Sequence, residues 1–282
     1  MMKFGIRLAA SAAVALLMTT GCASLGLQNN KAEVPENLPQ KRVGLELLEA
    51  FFNNDAEAFR NQFPEEIRRD ITKKDFEQTR KAMLDKLGKP VSYEFVTNLE
   101  QPNWTVSIWK ILFERDSADK TKKIRQETFF RAVAGELDGK MILLNQSFFP
   151  EDVADWSAAK PQLKEKNPGI APQKHVGEIL LKAFADNDAK TFLKQLPDRM
   201  REQFGEKDFE QTRKSMLEKL GKLVSYQFVT NLEHPAYTIS LWKVRFERDN
   251  FDRTKKIHQE TMFRAVTVEI NGKEVLLGFH FF

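Results

Sequence analysis

Apolar residues recur at helical spacing in two widely separated stretches of the chain. Val43, Leu47, Leu48 and Phe51 line one face of a helix, and Val176, Leu180, Leu181 and Phe184 do the same. In the first stretch the Asn54-Asp55 break separates this helix from a short second one that ends near Pro64. Thr72 with Asp75 forms the signature of a capped third helix, whose Phe76, Met83 and Leu87 face inward and which Gly88 stops; Gly221 stops its counterpart. From Val91 the pattern turns extended. Segments 91–100, 104–115, 123–135 and 140–149 are rich in Val, Ile, Phe, Thr and Trp, with turns at Gln101-Pro102, Ser117 to Lys120 and Asp138-Gly139. Helices followed by a four-stranded antiparallel meander predict an α+β layer in which one face of a curved sheet packs on the helices.

The pattern occurs twice because the chain is duplicated. A shift of 133 residues superposes 41–149 on 174–282 without a gap and gives 65 identities in 109 positions. The clearest blocks are KDFEQTRK (74–81 and 207–214), FVTNLE (95–100 and 228–233) and FERD (113–116 and 246–249). A unit of this length is a whole domain, well beyond the roughly 20 to 50 residues of solenoid repeats. The expected organisation is a leader at 1–21, a tether at 22–40, repeat 1 at 41–149, a Pro-rich linker at 150–173 and repeat 2 at 174–282. The linker carries Pro150, Pro161, Pro168 and Pro172, with one short helix expected around Val153 to Ala159.

The leader reads as targeting. Lys3 and Arg7 precede an apolar run from Leu8 to Met18 that is too short to span a bilayer comfortably. Leu16-Leu17, then Thr19-Thr20-Gly21-Cys22, resembles the lipobox of bacterial lipoproteins, with Thr19 standing where that family prefers leucine. The resemblance implies cleavage before Cys22, acylation of its sulfur and, with Ala23 next rather than Asp, delivery to the outer membrane. A plain secretory signal or an uncleaved anchor would account for the apolar run without using the cysteine. Cys22 is the only cysteine in the chain, and lipidation would account for a lone thiol in an exported protein. Removal of 1–21 leaves 42 basic and 40 acidic residues, a net charge of +2 with histidines neutral. Nothing in that balance supplies the concentrated basic surface that nucleic acid requires.

Each repeat resembles the nuclear-transport-factor-2-like, or cystatin-like, superfamily in its element order and in the Leu-Gly helix stop before the sheet. That resemblance implies curved sheets wrapped around N-terminal helices. It does not decide function, because the superfamily holds isomerases and dehydratases alongside non-catalytic binding modules.

The residues restrict the chemistry further. All four histidines, His175, His234, His258 and His280, lie in repeat 2, opposite Arg42, Gln101, Arg125 and Ser147, so the copies share no histidine chemistry. No cysteine follows position 22, which removes thiolate zinc sites and cysteine nucleophiles. No Gly-rich phosphate loop is present, and no cofactor is implied. With 23 Phe against 3 Tyr and 4 Trp, the aromatic content favours greasy interiors over polar-tipped binding platforms.

Shared carboxylates remain. Glu127 and Arg131 alternate with Phe129 along one side of a central strand, and Glu260, Met262 and Arg264 repeat the arrangement. At roughly 13 Å apart along the strand, Glu127 and Arg131 are too distant for ready pairing, so Lys110, Glu114 or Arg115 are the cross-strand candidates. One reading is a set of structural cross-strand pairs. The sharper one puts Glu127 and Arg131 with Tyr93 and Trp109, and Glu260 and Arg264 with Tyr226 and Trp242, at the rim of a pocket for a polar or anionic ligand. The basic turn Lys120, Lys122, Lys123, Arg125, repeated as Arg253, Lys255, Lys256, His258, protects a sheet edge or touches acidic envelope polymers or lipid headgroups.

The sequence therefore favours a non-enzymatic envelope lipoprotein that binds or scaffolds an envelope protein or polymer. The competing reading is a small-molecule carrier or isomerase/dehydratase-like enzyme using the space between helices and sheet.

Overall fold

The computed structural model describes residues 39–149, 175–270 and 273–282. The leader, Cys22, the linker and its expected helix lie outside the described residues, as does the tether up to residue 38; its last two residues, Pro39 and Gln40, instead begin the first helix of repeat 1. The rest forms two compact units.

In repeat 1 the order is α1 (Pro39–Phe52), α2 (Ala56–Asn61), α3 (Glu65–Arg68), α4 (Lys73–Leu87), then β1 (Lys89–Glu100), β2 (Thr105–Asp116), β3 (Lys123–Leu137) and β4 (Lys140–Phe149). Repeat 2 gives α5 (His175–Asp186), α6 (Ala189–Lys194), α7 (Asp198–Arg201), α8 (Glu206–Leu220), β5 (Lys222–Glu233), β6 (Thr238–Asp249), β7 (Lys256–Ile270) and β8 (Lys273–Phe281). Each sheet is an antiparallel meander in sequence order. The α+β class and the helices-then-meander arrangement are as the hydrophobic pattern predicts. The addition is the single turn α3, and its counterpart α7, which start directly after Pro64 and Pro197 at their N-cap positions.

The KDFEQTRK block has a structural role. Thr72 Oγ1 accepts from Asp75 N at 3.1 Å and Asp75 Oδ2 accepts from Thr72 N at 3.1 Å, closing the capping box of α4. Phe76 enters the core, and Arg80 Nε donates to Phe51 O at 2.8 Å, binding a carbonyl left open at the end of α1. Arg213 does the same for Phe184 O at 2.7 Å. Gly88 ends α4 at φ 93°, where a Cβ would stand 2.2 Å from the backbone oxygen of Glu114. That contact admits only glycine and brings the helix end directly onto β2.

Irregularities at Pro90/Ser92 and Phe95/Thr97 in β1, and at Val133/Ala134 between β3 and β4, bend the first sheet. Its concave interior is closed by Leu47, Leu48 and Phe51 of α1 with Phe59, Phe76, Ile111, Phe113, Phe130 and Leu143, all buried. Ring centroids lie 4.8 Å apart for Phe51–Phe148 and for Phe130–Phe148, and 4.9 Å for Phe59–Phe76. Repeat 2 closes its own interior with Phe192–Phe209 at 4.8 Å and Phe263–Phe281 at 4.7 Å. Phe148 and Phe281 are thus core-facing strand ends.

The helix-free face of each sheet is also apolar along part of its length. Leu99, Val106, Ile108 and Phe129 in repeat 1, and Leu232, Ile239, Leu241 and Met262 in repeat 2, point to that side and are buried.

Candidate functional site

Strand alternation assigns every candidate residue to a face. Trp109 lies opposite Phe130 and Tyr93 opposite Ile111, all on the helix side, while Glu127 lies opposite Leu112 and Arg131 opposite Ile108 on the other side. Repeat 2 follows the same register: Trp242 meets Phe263 on the helix side, and Glu260 meets Arg245 on the helix-free side. The sheet therefore separates Tyr93 and Trp109 from Glu127 and Arg131, and Tyr226 and Trp242 from Glu260 and Arg264. A common rim does not form, because neighbouring positions on a strand point to opposite faces.

The aromatic half of the expected pocket is part of the core. Tyr93 and Trp109 stand edge to face at 6.2 Å, Phe95 lies 5.3 Å from Trp109, and the Trp109 ring is buried. Burial raises the Tyr93 phenol, and the nearby Glu49 carboxylate adds to the shift by charge and hydrogen bonding. Glu49 is solvent-exposed, and its counterpart in repeat 2 is Lys182. Tyr226 is pushed up to about 12, by burial first and then by Glu178 and Asp186. The two repeats thus lack a shared tyrosine–acid pair.

On the helix-free face the charges meet across strands. In repeat 1 Lys110 lies between two acids, 2.8 Å from Glu94 Oε1 and 3.4 Å from Glu127 Oε1. Burial pushes the Lys110 ammonium down, but hydrogen bonding to Glu94 and the charges of Glu127 and Glu94 outweigh it, so the net shift is upward. In repeat 2 the polarity is reversed. Glu260, with a side chain only 2% exposed, receives Lys243 Nζ at 2.7 Å and Arg245 Nε at 3.1 Å. Glu94 has become Gln227 and Leu112 has become Arg245, so a cation between two acids is replaced by an acid between two cations. Lys110 was among the expected partners. Glu114 instead takes Arg125 at 3.1 Å, at the start of the hairpin.

Arg131 lies opposite Ser147, and Arg264 opposite His280. Burial lowers the pKa of Arg131. His280 is also shifted down, by burial first and then by the charge of Arg264.

Sequence reasoning missed Glu94 and Arg245 as members of the cluster and Glu49 as the neighbour of Tyr93. It also passed over Phe251, the counterpart of Ala118, which stands fully exposed at the β6–β7 turn. Among the described residues no three His, Cys, Asp or Glu side chains gather to hold a metal, and no helix is long and apolar enough to cross a membrane.

The chain matches no family model and no curated protein. Among solved structures it is similar to an Ntf2-like protein involved in plasmid conjugation, at 11% identity over 74% of this chain and 87% of that one, with a TM-score of 0.20. At that score the likeness carries no argument, and the architecture rests on the strand order and register above. The chain is a tandem pair of α+β units.

Proposed function

We propose that this chain is a non-enzymatic binding or scaffolding protein of the bacterial envelope, held at a membrane, in our reading the outer one, by an acyl group on Cys22. The observation that supports it most is the closure of both repeats: packed phenylalanine rings occupy the space between helices and sheet. Glu127, Arg131, Glu260 and Arg264 lie across the sheet from the tyrosines. The nuclear-transport-factor-2-like resemblance is compatible with such a module, and two copies on one tether raise effective valency toward a repeated or extended partner.

Crosslinking of the native protein in its membrane, followed by mass spectrometry, tests this reading. A reproducible envelope protein or polymer adduct is expected, together with a diacylated N-terminal peptide beginning at Cys22. Recovery of monomer alone, or of an unmodified cysteine, refutes the corresponding half of the proposal.

A further inference from the structure

The two β-hairpin tips that follow β2 and β6 have the same construction and one large difference. In repeat 2, Asn250 N donates to Lys255 O at 2.9 Å, Lys255 N donates to Asn250 Oδ1 at 3.1 Å, and Asp252 Oδ1 accepts from Thr254 N at 3.0 Å. Arg253 takes a positive φ of 58°, matching Lys120 at 59° in repeat 1. The turn is therefore internally bonded, and the side chain of Phe251 projects from it at 107% relative exposure. No other large apolar residue among those described exceeds 56%. Arg253, Lys255 and Lys256 surround it, all exposed. Lys256 is paired with Asp249 at 3.0 Å and Glu247 at 3.4 Å, whereas Arg253 and Lys255 have no ion pair among the described residues. Repeat 1 keeps the basic residues but carries Ala118 at the tip.

A phenylalanine on a bonded turn gains nothing from water, and nearby cations make the site unfavourable for other basic surfaces. A bilayer interface satisfies both features, with the ring among the upper acyl chains and the cations among anionic headgroups. We propose that the β6–β7 tip of repeat 2 is a membrane-contact site for an anionic lipid surface, with Phe251 as the inserting residue. The inference is independent of the acyl anchor.

The test uses the full chain with Cys22→Ser, which removes any acylation, and reads amide hydrogen exchange at the two tips separately. With phosphatidylglycerol vesicles, exchange in 249–256 is expected to slow by about threefold or more, with little change in 116–123. Phosphatidylcholine vesicles should give much less protection. Phe251→Ser should abolish the effect, and Ala118→Phe should create it in 116–123. Both positions are exposed turn residues outside the cores, so these substitutions leave the fold intact. Absence of protection on phosphatidylglycerol, its survival in Phe251→Ser, equal protection on phosphatidylcholine, or equal protection by soluble polyglutamate without lipid would each overturn the proposal. The last result would identify an acidic-polymer site instead.

Discussion

The reversed charge clusters make different demands on their central residues. Glu260 is almost wholly buried between Lys243 and Arg245, so Glu260→Gln removes the carboxylate that both cations meet. Arg245 is 43% exposed and Lys243 24%, so solvent screens part of the loss. The expected local destabilisation is about 2 kcal/mol, or roughly thirtyfold faster amide exchange in 256–270. Glu127→Gln should cost about 1 kcal/mol, because its side chain is 17% exposed and Lys110 retains Glu94. Equal effects in the two repeats would contradict the assignment. His280 supplies a second test. Its folded pKa lies below the ordinary value of 6.5, so the stability tied to its neutral form is complete above pH 6.5 and is lost as pH falls through the lowered folded value. Exchange in 273–282 should therefore accelerate more between pH 7 and 5 in the native chain than in His280→Gln, and parallel profiles would remove histidine from the account. The sequence offered Lys110, Glu114 or Arg115 as cross-strand partners for Glu127 and Arg131, and Lys110 is the one that meets Glu127. It could not show that Glu94/Gln227 and Leu112/Arg245 change together, because their proximity depends on a register interrupted by the bulges in β1 and β5.

Elements were more legible than contacts. Helix starts, the glycine stops and the meander follow from local signals that act within a few residues, such as the Thr72–Asp75 box and the left-handed Gly88. Faces were harder to assign, because the central strands are apolar on both sides and so lack the alternation that separates core from surface. Gly177 shows packing overruling propensity. It lies inside α5, where alanine would ordinarily improve helix stability by about 1 kcal/mol. A Cβ there would stand 2.0 Å from the Trp242 ring, however, and Trp242 is buried against β7. Displacing the indole or the helix should cost about 2 kcal/mol, so Gly177→Ala is expected to destabilise repeat 2 by about 1 kcal/mol net. The checks are a changed near-ultraviolet circular dichroism signal and faster exchange in 175–186. A stabilised variant would mean that α5 does not lie as close to the sheet as described.

At the scale of the whole molecule, the question is whether duplication produced two cores or one. The buried clusters answer it by membership: one runs from Val43 to Leu143, the other from Val176 to Leu276, and they share no residue. Phe130 is fully buried between Trp109 on the neighbouring strand and Phe148, and Phe263 holds the equivalent place beside Trp242 and Phe281. Truncation of a buried phenylalanine to alanine removes its transfer energy and leaves a cavity, typically costing about 3 to 5 kcal/mol. Where the cores are separate, that cost is confined to the repeat that contains the cavity. Phe130→Ala should therefore accelerate exchange throughout 105–137 while 238–270 keeps its native rates, and Phe263→Ala should give the mirror result. Tandem domains can lose order one at a time, so full-chain unfolding in urea should divide into two steps in either variant, with the mutated repeat opening first. Matched acceleration of both segments by a single truncation would mean that the duplicated units fold as one cooperative body, and that the two-core account of this chain is wrong.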